Sequence, residues 1–158
     1  MIRTCWYEKK VLRRFPAIEF LSDYDMAYAQ KKFVVRNKVC SVSSNFNYFE
    51  KKVKYRGKGN YLLFSGSLTF EPNLEGCRWF LDNVLPSIRE EHPKLILRIT
   101  GAVSDKVKTD ILSYGNVEFA GRISDDDMLR TLSDCRCIVS PILSGSGVKI
   151  KNIEALQL

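Results

Sequence analysis

Three loops in this 158-residue sequence combine small residues with hydroxyls or cations: Gly66-Ser-Leu-Thr69, Gly121-Arg-Ile-Ser124 and Ser140-Pro-Ile-Leu-Ser-Gly-Ser-Gly147. Each follows an apolar run that reads as a strand. Small residues let a backbone come close to a ligand, and the amides at the start of a following helix favour an anion. The third loop carries the most chemistry. Gly145, Ser146 and Gly147 open a helix that bears Lys149 and Lys151. A diphosphate or a hydroxyl-rich sugar would suit that mouth. The two lysines are two positions apart and so do not share a helix face; one can point at a ligand while the other is solvated. Taken alone, a Ser/Gly loop before a helix is more often a plain turn with an N-cap. Glu154, the carboxylate of the last helix, reads equally well as an exposed helix residue.

The elements that must position these loops follow from periodicity. Beyond residue 60, apolar runs of four to six residues at Tyr61–Ser65, Leu95–Thr100, Val117–Ala120 and Cys137–Ser140 predict strands. Helical spacing predicts helices at Asn73–Glu91, about 104–113, about 125–133, and from about Val148 onward. Pro86 predicts a kink or break in the first of these, and Ser124-Asp-Asp-Asp127 predicts an acidic N-cap. Strands alternating with helices predict an α/β fold, a Rossmann-like parallel sheet with helices on both faces. In such sheets ligands bind beyond the carboxyl ends of the strands.

The first 60 residues are less regular. A basic helix is expected at 4–14, a short buried strand at Ala17–Leu21, a helix at 24–32 capped by Ser22 or Asp23, and a strand at Val39–Val42. Residues 43–60 are basic and contain two glycines without a sustained period, as an interdomain linker would be. The expected organisation is a first region 1–42, a linker 43–60 and a Rossmann-like region 61–158.

Charge divides along the same line. Residues 1–60 hold 14 Lys and Arg against 5 Asp and Glu, or +9, whereas residues 61–158 hold 11 against 13, or −2. A solvated basic face is the plain reading. Docking to an anionic membrane is the sharper one, and no RNP-like or helix-turn-helix pattern supports nucleic acid. Five cysteines without a C-x-x-C, and one histidine, argue against zinc or a disulfide framework. No metal or other cofactor is expected. The opening residues hold no apolar h-region, and no apolar run approaches the roughly 20 residues of a membrane span. A cytoplasmic location, peripheral to the inner face of the membrane, is expected.

The order and spacing of these landmarks carry a resemblance. Leu63-Phe-Ser-Gly-Ser-Leu68, Asn73 through Trp79-Phe80-Leu81, Leu97-Arg-Ile-Thr-Gly101, Val117-Glu-Phe-Ala-Gly121, Ile138-Val-Ser-Pro141, Gly145-Ser-Gly147 and Glu154-Ala-Leu156 stand in sequence. From about Tyr61 to Leu158 the chain resembles the C-terminal, donor-binding domain of GT-B glycosyltransferases, in the large retaining group often called family 4. Residues 1–42 resemble the tail of the acceptor-side domain, through Ile18-Glu-Phe-Leu-Ser-Asp-Tyr-Asp25.

The resemblance implies transfer of a sugar from a UDP- or GDP-sugar to the hydroxyl of a glycan or lipid-linked acceptor, in cell-surface polysaccharide synthesis. It implies a donor site made of Gly66, Ser67, Arg122, Ile123, Gly145, Ser146, Gly147, Val148, Lys149 and Glu154. Glu154 matches the second of two family glutamates eight positions apart, whose carboxylate accepts from the ribose hydroxyls. Ser146 stands where the first would be, and no catalytic residue is assigned. Ser67 and Asn73 fall near the positions of the Arg and Lys that clamp the diphosphate, which leaves Lys149 as the nearest substitute. Against the family pattern the sequence reads as a truncated piece, with little activity of its own expected. The alternatives are a non-catalytic nucleotide-sugar-binding module or degenerate gene product, a nucleotide-sugar epimerase, and a basic binding protein.

Overall fold

In the computed structural model, residues 2–33, 38–41, 53–144, 149–156 and 158 are described, with the backbone alone described at 2–4, 38–41 and 154. The chain divides into two units, Met1–Phe46 with Ser146–Lys149, and Asn47–Gly145 with Ile150–Leu158.

The first unit contains α1 (Ile2–Leu12), β1 (Ala17–Phe20), α2 (Asp23–Phe33) and β2 (Lys38–Ser41). β1 and β2 pair in parallel, Ala17 against Lys38 and Phe20 against Ser41. Ser22 caps α2: its Oγ accepts from the Asp25 amide at 3.1 Å and donates to the Asp25 carboxylate at 2.7 Å. This reciprocal pairing satisfies an amide that the helix itself leaves open. β1 is not the buried strand expected. Ala17 and Glu19 are exposed while Ile18 and Phe20 are half-buried, as a strand covered on one face would be.

The second unit is built on a four-stranded parallel sheet. β3 (Tyr61–Ser65), β4 (Ile96–Thr100), β5 (Val117–Gly121) and β6 (Cys137–Ile138) lie in the order β5-β4-β3-β6. The helices are α3 (Glu71–Asn83), α4 (Leu85–Glu91), α5 (Asp105–Leu112), α6 (Asp125–Asp134) and α7 (Ile150–Leu156). Alternation along β3 sends its side chains to two cores. Leu62 and Phe64 pack with Leu74, Cys77, Phe80, Leu81, Leu85, Leu97, Ile99 and Ile111. Tyr61 and Leu63 pack with Leu132 and Cys135. Helices therefore cover both faces, the α/β class read from the sequence. Leu63, Phe64, Leu97 and Ile99 are at most 1% exposed, and each such side chain contributes about 1.5–3 kcal/mol of burial.

Two local departures have plain causes. The single helix expected at 73–91 divides at Val84 into α3 and α4, because Pro86 has no amide to donate and fits only a first turn. β6 is two residues long rather than four, although the Val139 amide still reaches the Leu63 carbonyl at 2.9 Å. Pro141 then offers no donor to continue the ladder.

Of the segment 43–60, the described residues from Tyr55 onward lie against the second unit. The Arg56 and Gly57 amides donate to the Ser133 carbonyl, and the Gly59 amide to that of Asp134. The Arg56 side chain pairs with the Asp134 carboxylate at 2.9 Å.

Candidate functional site

The topology locates a crevice before any ligand is considered. From β3 the chain steps outward to β4 and β5, then returns to the other side of β3 as β6. The helices after β3 and β6 pack on opposite faces, α3 on the Leu62–Phe64 core and α7 beside α6, although the loop between β6 and α7 first runs against α3. Adjacent strands whose helices part in this way leave an opening at their carboxyl ends, where open α/β sheets bind ligands. Cavity size does not choose the site. A cavity of about 400 Å³ lies beside β6 between α6 and α7. Another of about 420 Å³ lies at the amino ends of the strands, lined by Asn60, His92 and Lys94.

The floor of the crevice is glycine backbone. The Gly66 amide donates to the Thr100 carbonyl at 3.0 Å, and the Gly101 amide to the Gly121 carbonyl at 2.7 Å. A Cβ on Gly101, at φ +113°, would lie 2.7 Å from the carbonyl carbon and oxygen of Gly66. No side chain fits there. Gly66, at φ +154°, faces the Asn73 amide, which would lie 2.9 Å from its Cβ. Gly76 performs a similar service one turn into α3: its missing Cβ makes room for the Pro141 carbonyl, at 1.7 Å from the Cβ position. The loop after β6 is thereby held against α3.

The walls are polar. The Ser67 hydroxyl lies 2.8 Å from that of Thr69 and donates to the Ala102 carbonyl at 3.3 Å. Asn73 Nδ2 donates to the Ser67 carbonyl at 2.9 Å. Lys151 Nζ reaches from α7 to the Ser65 carbonyl at 2.9 Å and lies 5.1 Å from the Phe64 ring centroid. Thr100 Oγ1, Ser140 Oγ and Asn152 Oδ1 are buried without a hydrogen-bond partner among the described residues. Such atoms carry a desolvation cost of about 1–3 kcal/mol each. Ser65 and Thr100 are register partners, so two of these groups, Thr100 and the Lys151 ammonium, sit at one level at the carboxyl end of the sheet.

The sequence-derived candidates fall in several places. Gly66 and Ser67 form the lip of β3. Arg122, exposed, and Ile123, half-buried, follow β5, two strands away from β3. Gly145, Ser146, Gly147 and Val148 lie outside the described residues. Lys149, half-buried, precedes α7, and Glu154 is described as backbone within α7. The structure brings to Gly66 three residues that spacing did not single out as a group: Asn73, Gly101 and Lys151. Proximity of Gly101 to Gly66 follows from adjacent strands ending together, which a sequence signals only as glycine after each of these two apolar runs.

Thiols play no part in this crevice. Burial pushes Cys77 up to about 12 and Cys135 up to about 11, so both stay protonated at neutral pH. Among the described residues there is no cluster of three or more metal-ligating side chains, and no helix is long and apolar enough to cross a membrane.

No family model matches the chain. The chain is 35% identical over 102 residues to an uncharacterized 44.6 kDa protein in the cps region of Klebsiella pneumoniae, a match that takes in 61% of this chain and 26% of that protein. It resembles a crystal structure of an S. aureus TarM mutant in complex with Fondaparinux, alpha-GlcNAc-glycerol and UDP, with a TM-score of 0.72 at 16% identity, over 95% of this chain and 30% of that one. The chain thus has the fold of part of a GT-B glycosyltransferase. At 16% identity the likeness to TarM is one of fold. The chain spans less than a third of the length of either protein.

Proposed function

We propose that the second unit binds the nucleoside diphosphate-sugar donor of a retaining, family 4-like glycosyltransferase. The observation that carries this reading is the glycine-floored crevice at the point where strand order reverses. It offers close backbone approach, a lysine ammonium and the unpartnered Thr100 hydroxyl. The likeness in fold to a protein solved with UDP supports a nucleoside diphosphate as the ligand. The relative in a cps, or capsule polysaccharide, region supports a cell-surface polysaccharide as the product.

Within this reading Gly66 and Ser67 meet the diphosphate and sugar. Arg122 and Ile123 meet the base. The Glu154 carboxylate accepts from the two ribose hydroxyls. In transfer to an acceptor hydroxyl, the bond from the sugar to the diphosphate breaks. Charge then grows on the leaving phosphate, where amides and a fixed cation are most effective. The acceptor, a glycan or lipid-linked sugar, and the act of transfer belong to the whole protein. The basic first region is proposed to meet an anionic membrane surface.

Calorimetric titration with UDP and GDP tests the reading. One of the two binds saturably, and Glu154→Ala weakens it by about tenfold, the loss of one charge-assisted pair. Equal affinity in the variant would remove Glu154 from the ribose site.

The second reading, a binding module without transfer, is favoured by Ser146, which stands where a carboxylate beside the donor sugar is expected. Both readings require the same nucleotide site.

A further inference from the structure

We propose that Lys151 is the residue that receives the diphosphate of the donor. This rests on the nucleotide-sugar reading above and assigns its anion subsite to a side chain outside the loop that the sequence singled out.

Two positions at the tip of β3 cannot do this work. Ser67 and Asn73 follow β3 and line the crevice, but neither brings charge. The Ser67 hydroxyl is held by Thr69 and the Ala102 carbonyl. The Asn73 amide is spent on the Ser67 carbonyl and fills one side of Gly66. Lys151 also reaches Gly66. Its Nζ would lie 3.5 Å from a Cβ on Gly66, so cation and glycine face each other across the tip of the central strand.

The Lys151 side chain is half-buried, and the Ser65 carbonyl and the Phe64 ring are among the groups that hold it. A lysine so held is a positioned charge, not a solvated one. The Ser65 carbonyl, to which Lys151 Nζ donates, is a neutral acceptor. A phosphate oxygen in the same crevice is a charged acceptor of similar reach and makes the stronger bond. Thr100, 1% exposed with an unpartnered Oγ1, is the register neighbour of Ser65 and supplies a second polar group at the same level. The unpartnered Ser140 Oγ and Asn152 Oδ1 line the neighbouring cavity between α6 and α7 and are not part of this subsite. A buried, unpartnered hydroxyl beside a fixed ammonium and a glycine notch is the arrangement an oxyanion would satisfy.

The test separates charge from base. UDP, uridine, GDP, guanosine and inorganic pyrophosphate are titrated into the wild-type chain and into Lys151→Met and Lys151→Arg. The wild type binds one nucleoside diphosphate at least about tenfold more tightly than its nucleoside, and pyrophosphate competes for the site. Lys151→Met brings the diphosphate to within about twofold of the nucleoside, leaves the nucleoside unchanged and abolishes competition by pyrophosphate. Lys151→Arg retains most of the preference. If the Met variant melts below the titration temperature, Lys151→Gln, which keeps a donor for the Ser65 carbonyl, carries the same comparison. A nucleoside diphosphate that binds Lys151→Met or Lys151→Gln as tightly as the wild type overturns the proposal and leaves the nucleotide reading standing. A wild type that binds neither UDP nor GDP overturns that reading, and the proposal with it.

Discussion

Gly101 shows how much of the crevice depends on a missing methyl group. Its φ of +113° disfavours any L side chain, and the backbone of Gly66 and Ser67 lies within 2.8 Å of its Cβ position. Neither strand end can retreat without breaking the bond from the Gly66 amide to the Thr100 carbonyl. Gly101→Ala is therefore expected to destabilise the fold by about 2 kcal/mol or more, through strain and backbone overlap together. Thermal melting checks this; a melting temperature equal to the wild type's would show that the notch is looser than described. At this scale the sequence is partly legible. A glycine after each of the first three apolar runs beyond residue 60 marks Gly66, Gly101 and Gly121 as turn residues. That Gly66 and Gly101 abut is a property of strand pairing, invisible in local spacing. Lys151 was legible as a cation near a loop, but its reach to the Ser65 carbonyl depends on where α7 lies relative to β3, which no motif encodes.

Elements were read more fully than sites because their signals are local. Ser22-Asp-Tyr-Asp25 and Ser124-Asp-Asp-Asp127 share one pattern, and both serines cap as that pattern requires, with Ser124 Oγ accepting from the Asp127 amide at 3.2 Å. Tyr61–Ser65 is a strand at the bounds its apolar run implies. The helix after it begins at Glu71 rather than Asn73, since Pro72 suits a first turn. α1 raises a functional question at this scale. Trp6, Lys9 and Lys10 stand at i, i+3 and i+4 and share a face, Trp6 is 64% exposed, and Lys10 Nζ lies 5.2 Å from its ring. An aromatic ring beside basic residues suits the interface of an anionic bilayer, where each lysine adds roughly 1 kcal/mol. Trp6→Ala with Lys10→Glu is expected to lower retention on phosphatidylglycerol-containing vesicles severalfold, with little retention of either protein on neutral phosphatidylcholine. Unchanged retention by the double variant, or equal binding to both vesicles, would count against a membrane face on α1.

For the molecule as a whole, strand order carries the functional argument. An order of β5-β4-β3-β6 with all pairs parallel requires one reversal, and the reversal falls at β3 and β6. This explains why the cavity at the amino ends of the strands, though comparable in volume to the one beside β6, is not the proposed site. The N-terminal ends of the helices that follow the strands face the carboxyl ends of the sheet. The alternation of strands and helices was legible because apolar runs and helical stripes have different periods. The order of the strands is set by long-range pairing and is not encoded in local spacing. The most direct test of the account is therefore where a nucleotide lands. Backbone amide chemical shifts of the labelled chain are followed during titration with UDP and with GDP. Saturable shifts concentrated at residues 65–68, 100–102, 139–144 and 150–152 are expected. Saturable shifts centred instead on Asn60, His92 and Lys94, or no saturable shift with either nucleotide, would contradict the proposed site.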